Sequence, residues 1–207
     1  MMISYLKKDI RFSSRWLIIS VAYCLLAGFL LVKERGDSLF FVEFLIPFFV
    51  VYFPLGRLMN LEDPKDTRDF IRRMPQAKYG RAIARIIYVI LLLTFSFAVK
   101  IIYKYMLIEG YDLIAGGELM KETAVFLAFL IYFLAALIVF YKSSFHMAQN
   151  IGLMLCAVIF LIALIGKYTK IRISIPDINP VVYIVVFALL IVGLIIGVLK
   201  SENSRTA

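Results

Sequence analysis

The sequence predicts an all-α integral membrane protein, with six transmembrane helices, an N-terminal amphipathic helix in the membrane interface, and a short cytoplasmic helix between spans 2 and 3. Three observations carry this expectation. Of 207 residues, 63% are hydrophobic and 18% charged, with a mean hydropathy of +0.92, whereas soluble domains have about 45–50% apolar and about 25% charged residues. The apolar residues gather into six continuous runs. The basic residues gather between alternate runs. This composition excludes a disordered chain, a secreted disulfide scaffold and a soluble enzyme.

Residues 2–15 come first. At 100° per residue Ile3, Leu6, Ile10 and Leu17 share one face, and Lys7, Lys8, Arg11 and Arg15 share the opposite one. That separation suits a helix lying in the interface and leading into the first span. The spans follow at residues 16–32, 39–56, 86–103, 123–141, 150–166 and 180–199. Each is close to the ~17–25 apolar residues needed to cross a hydrocarbon core at about 1.5 Å per residue. The runs do not alternate, so a transmembrane β-barrel is excluded. No small-residue cleavage site follows the first run, which reads as a retained helix. Pro47 and Pro54 predict a kinked second span. Asn179-Pro180 reads as a cap followed by proline at the first helical position, and Lys200 closes the last span at the interface. The whole chain, 1–207, is one transmembrane domain on this reading.

Lys and Arg counts set orientation. Fifteen of the 23 lie in the N-terminal segment, between spans 2 and 3, between spans 4 and 5, and in the tail. The other eight lie on the opposite side. Both termini are therefore expected in the cytoplasm of a cell whose cytoplasmic membrane holds the chain. The net charge of +9 is explained by this topology and by anionic lipid headgroups. No soluble domain exists to hold a nucleic acid.

The cytoplasmic segment 57–85 contains Asp63-Pro64, a cap-plus-proline start, and Pro75, which stops a helix at Met74. On the wheel Thr67, Phe70, Ile71 and Met74 form a narrow apolar arc, surrounded by Lys65, Asp66, Arg68, Asp69, Arg72 and Arg73. A short helix with an apolar ridge and a charged surround suits a groove on a partner protein. On the other side, 109–122 reads as a loop with Gly110, Gly116 and Gly117, and 171–175 alternates like a small strand.

Chemistry is sparse. The chain has no phosphate-binding loop, no H-E-x-x-H, no G-x-S-x-G and no C-x-x-C. Cys24 and Cys156 sit in apolar runs as small hydrophobes, and His146 beside Ser143 and Ser144 lacks an orienting acid nearby. No catalytic residue and no metal site is expected. Glu43 is the only acid within a predicted span, which makes it a functional candidate, with Lys100 and Lys104 as possible partners. It begins a possible substrate path with Phe44, Phe48 and Tyr52, drawn from an aromatic group whose default reading is lipid exposure. Gly193 and Gly197 permit close helix approach, within the chain or between copies.

This arrangement resembles the ABC-2 type permease subunits of small bacterial ABC exporters. The residues that carry the resemblance are Leu6-Lys7-Lys8-Asp9-Ile10-Arg11 at the start, Glu62, and Phe70-Ile71-Arg72-Arg73-Met74-Pro75 followed by Lys78 and Arg85. Met74 stands where leucine is usual, and Gln76-Ala77-Lys78 replaces the common Val-Ser-Arg. The chain looks most like the permeases that export amphipathic peptide toxins such as phenol-soluble modulins. The resemblance implies a subunit without its own ATPase, working with a separate ATPase that holds ATP and Mg. It implies a second permease, identical or not, and an amphipathic peptide or lipid-like substrate exported by alternating access. It makes Asp66, Thr67, Arg68, Asp69, Phe70, Ile71, Arg72, Arg73, Met74 and Pro75 the coupling helix. The competing expectation is a non-transport membrane protein, an immunity or regulatory factor whose cytoplasmic helix binds a partner.

Overall fold

The computed structural model describes residues 2–35, 44–64, 67, 79–107, 118–169 and 180–206. Among these there are six helices and no strand: α1 (Met2–Arg35), α2 (Ile46–Glu62), α3 (Gly80–Leu107), α4 (Glu118–Lys142), α5 (Phe145–Thr169) and α6 (Pro180–Thr206). Among the described residues, three helical stretches are long and apolar enough to cross a membrane, Gly80–Met106, Leu119–Lys142 and Val185–Glu202. The chain is thus a membrane protein, all-helical in its described residues. Much of the expected cytoplasmic helix, along with Glu43 and the alternating 171–175, lies outside the described residues.

Helices run further than the apolar runs that announced them. Hydropathy marks what tolerates lipid, whereas a helix continues while propensity and hydrogen bonding allow. The strong helix formers of Arg81-Ala82-Ile83-Ala84-Arg85 therefore belong to α3, rather than to the connecting segment. Glu118–Glu122, expected in a loop, forms the first turn of α4. α6 continues past Lys200 to Thr206. Pro47 falls in the first turn of α2, where a missing N–H costs nothing, so only Pro54 is an internal helix breaker.

α1 differs most from expectation. The segments 2–15 and 16–32 form one continuous helix of 34 residues. Its inward face is the stripe Leu6, Asp9, Ser13, Leu17, Ser20 and Cys24, at helical spacing. Ile3 and Ile10, placed on the apolar face by the wheel, are 64% and 46% exposed, while Asp9 is 1% exposed. The reason is electrostatic: a buried arginine on α3 draws the carboxylate inward. Ser13 and Ser20 stay inside the helix by donating to the carbonyls of Asp9 (2.6 Å) and Leu17 (2.9 Å).

α1 packs on α2 and α3, α2 on α3, and α4 most extensively on α6. The main core joins Val51, Leu55, Val89, Leu93, Phe133, Leu134 and Leu137 of α2, α3 and α4. α3 is central, with half of its apolar window buried against 17% for that of α6. Gly197 lets α6 close on α4, since a Cβ there would stand 2.9 Å from Ile138 Cδ1. Leu153, Met154, Leu189 and Ile196 face outward, an inside-out distribution that a bilayer accommodates. Lipid tails are as apolar as leucine, so packing shape and polar contacts, rather than the hydrophobic effect, set the arrangement.

Candidate functional site

Arg85 is fully buried one turn and a half into α3. Its Nε donates to Asp9 Oδ2 of α1 at 3.0 Å and its Nη2 to Glu62 Oε1 of α2 at 2.9 Å. Lys8 Nζ donates to the same Glu62 oxygen at 3.1 Å and lies 3.5 Å from Asp9 Oδ1. One turn before Arg85, Arg81 Nε donates to Glu202 Oε1 of α6 at 2.9 Å, and the Ala82 amide donates to Glu202 Oε2 at 3.0 Å. The Arg81 guanidinium also stands 5.6 Å from the centre of the buried Tyr141 ring of α4. Below Arg85, the hydroxyls of Tyr88 and Ser13 are in contact.

This charged node joins five helices at one end of the bundle and balances Lys8, Arg81 and Arg85 against Asp9, Glu62 and Glu202. Burial by itself would raise the Glu62 carboxyl. Arg85, then Lys8 and Arg81, outweigh it and lower the carboxyl to about 2. Removing its fully buried member, Arg85, would leave uncompensated buried carboxylates and cost about 3–5 kcal/mol. The helices therefore cannot slide past one another here without a large penalty. Glu62 ends α2 and Arg81 and Arg85 open α3, so the node ties together both stems of the segment 63–79.

A second polar group lies at the other end. Glu122 on α4 meets Lys100 Nζ at 2.6 Å and Lys104 Nζ at 2.7 Å, both on α3. Lys100 is fully buried, and its ammonium stands 4.6 Å from the centre of the Phe97 ring. The sequence pointed from these lysines towards Glu43, which lies outside the described residues. Glu122 was missed because it sat in an expected loop.

Between the two polar ends, α2 and α4 form an apolar cleft of about 290 Å³, lined by Phe44, Phe48, Ala124, Val125, Ala128, Phe129 and Tyr132. Ligand pockets span about 300–1,000 Å³, so this cleft fits one large side chain or a short aliphatic stretch. Phe44 is at its edge, 37% exposed, whereas Phe48 is 6% exposed. Tyr52 stacks on Phe48 at 5.0 Å, and Phe48 stacks on Phe133 at 6.2 Å. The structure thus brings Phe44, Phe48 and Tyr52 together, and Phe48 is buried rather than lipid-facing. It adds Phe129, Tyr132 and Phe133 of α4, which the sequence reading passed over. Their signal was aromatic spacing of three and four residues on the fourth apolar run.

Of the expected coupling residues only Thr67, half-buried, is described. Asp66, Arg68, Asp69, Phe70, Ile71, Arg72, Arg73, Met74 and Pro75 lie outside the described residues. Among the described residues Gly193 has nothing within 4 Å of an added Cβ, whereas Gly197 packs against Ile138. No group of His, Cys, Asp and Glu suited to a metal occurs among the described residues. Comparison with family models, curated proteins and solved structures finds no match.

Proposed function

We propose that this chain is the transmembrane permease subunit of an ATP-driven exporter for amphipathic or hydrophobic substrates, peptide toxins or antimicrobial peptides foremost. The observation that supports this best is the buried charged node. It gathers the first helix, the last helix and both stems of the segment 63–79 into one rigid end. A push on that segment by a partner would be passed to the whole bundle. ATP and Mg belong to a separate ATPase subunit in this reading, and a second permease, identical or different, completes the passage. The termini and the segment 63–79 face the cytoplasm, and the chain sits in the cytoplasmic membrane.

Export then proceeds by alternating access, with permease halves rocking as the ATPase pair closes. The cleft beside Phe44 and Phe48 receives an apolar part of the substrate, with Tyr52 stacked on Phe48, and Glu43 is assigned to the same path from its place in the sequence. The chain supplies no bond-breaking chemistry. The test is purification in mild detergent followed by reconstitution. An ATPase should co-purify, and an amphipathic peptide should stimulate hydrolysis in liposomes. Phe70→Ala with Met74→Ala removes the apolar arc expected to seat in the ATPase, and should detach or uncouple it, since truncated aromatic anchors typically cost ~2 kcal/mol or more. Retention of both properties by the normally inserted double variant overturns the coupling role. A stable complex with another partner and no ATPase returns the chain to the non-transport reading.

A further inference from the structure

We infer that Glu202 is a positioning residue that caps α3 from another helix, so that the C-terminal helix fixes where the segment 63–79 re-enters the bundle. The inference begins with what α3 lacks among the described residues. A helix start leaves its first amides without partners, and a Ser, Thr, Asp or Asn just before it normally accepts from the third amide. Here the preceding residue is Tyr79, whose long rigid side chain cannot turn back in that way. The first turn of α3 contains no acid. Tyr79 also has φ of 63°, in the left-handed region, where a bulky residue is strained. Its carbonyl accepts from the Ile83 amide at 3.0 Å, the first bond of the helix.

Glu202 supplies what is missing. Its Oε2 accepts from Ala82, the third amide, at 3.0 Å, and its Oε1 accepts from Arg81 Nε at 2.9 Å. The carboxylate also places negative charge at the positive end of the α3 dipole. Glu202 is 4% exposed, and Ser201 beside it donates to the Gly197 carbonyl at 2.7 Å. Gly197 is the point of close contact with Ile138 of α4. The position of α6 along α4 therefore decides whether the cap reaches α3. Displacement of α6 withdraws it and frees the strained turn at Tyr79, which moves the adjoining end of the segment 63–79. The link to ATP-driven coupling rests on the proposed function. The cap itself does not.

The experiment is hydrogen exchange on the full-length protein in lipid nanodiscs. Glu202→Ala should speed exchange of the amides of residues 80–84 by about five- to tenfold, the loss expected of a cap, and leave the middle of α3 unchanged. Glu202→Gln, which keeps an acceptor but no charge, should give a smaller local rise of about threefold. It carries the test alone if the alanine variant does not insert. No local rise overturns the inference, and so does an even rise across the bundle, which marks Glu202 as merely structural. In liposomes Glu202→Ala should keep the ATPase bound but lose most peptide-stimulated hydrolysis, with Glu202→Gln restoring part of it. Unchanged stimulation overturns the coupling arm. If no ATPase co-purifies with the unaltered protein, the exporter reading fails while the exchange result still decides the cap.

Discussion

Arg85 Nη2 lies 2.9 Å from Glu62 Oε1, so a single ion pair closes the base of the segment that leaves α2 and returns to α3. Arg85 is fully buried and Glu62 is 7% exposed. Arg85→Ala should therefore lower stability by about 3–5 kcal/mol, because Asp9 and Glu62 are left without their main partner. Lys8, whose side chain is 36% exposed, should cost no more than about 1 kcal/mol on replacement by alanine. Unfolding in mixed micelles measures both. Equal losses would remove Arg85 from the centre of the node.

Acid should dismantle the same pair. The Glu62 carboxyl is lowered from 4.5 to about 2, with burial opposing and Arg85, Lys8 and Arg81 prevailing. A group depressed in the folded state stabilises fully above its unfolded pKa, and that contribution is lost as pH falls through the folded pKa. The window thus runs from about 4.5 down to about 2. Melting temperature against pH should fall across it more steeply in the unaltered protein than in Glu62→Gln. Parallel profiles would contradict the assignment.

Gly152 and Gly193 should respond oppositely to alanine. A Cβ at Gly152 would lie 2.5 Å from the Tyr132 hydroxyl oxygen, whereas one at Gly193 meets nothing within 4 Å. Gly152→Ala must push the Tyr132 ring and should cost about 1–3 kcal/mol. Gly193→Ala should stay within about 0.5 kcal/mol. The unfolding assay used for Arg85 reads both, and a costly Gly193→Ala would place an unrecognised contact on that face.

Filling the cleft should separate binding from folding. Ala128 is exposed and lines the cleft between Phe48 and Tyr132. Ala128→Leu should leave the melting temperature unchanged while abolishing binding of a fluorescent amphipathic peptide in liposomes. Phe48→Ala should instead destabilise by about 3–5 kcal/mol, as deletion of a buried aromatic does. Full peptide binding by Ala128→Leu would move the substrate path elsewhere.

The apolar runs were legible as helices, since each overlaps a helix wherever it is described, and three of those helices are long and apolar enough to cross a membrane. Their ends were not, because Gly80–Arg85 and Lys200–Thr206 are helical for reasons hydropathy does not register. Phe44, Phe48 and Tyr52 were legible as a group, since residues three and four apart share a helix face. Their partners on α4 required tertiary packing. The node was half visible. Asp9, Glu62 and Glu202 are acids in segments whose net charge is positive, which is unexpected where positive charge sets topology. Which cation each acid meets depends on helix rotation, and α1 turns to satisfy Arg85 rather than to follow its own apolar face.

The cap on α3 also imposes an order on biosynthesis. Ala82 and Glu202 are 120 residues apart, so at ~5–20 residues per second the ribosome needs roughly 6–24 s between them. During that interval the first three helices have emerged, and Arg85 can already meet Asp9 and Glu62. The opening turn of α3 still waits. Only translation of α6 delivers the carboxylate that closes it, so a nascent chain halted before α6 displays an open helix start to proteases and chaperones. Arrival of α6 is thereby written into the fold as a local structural signal.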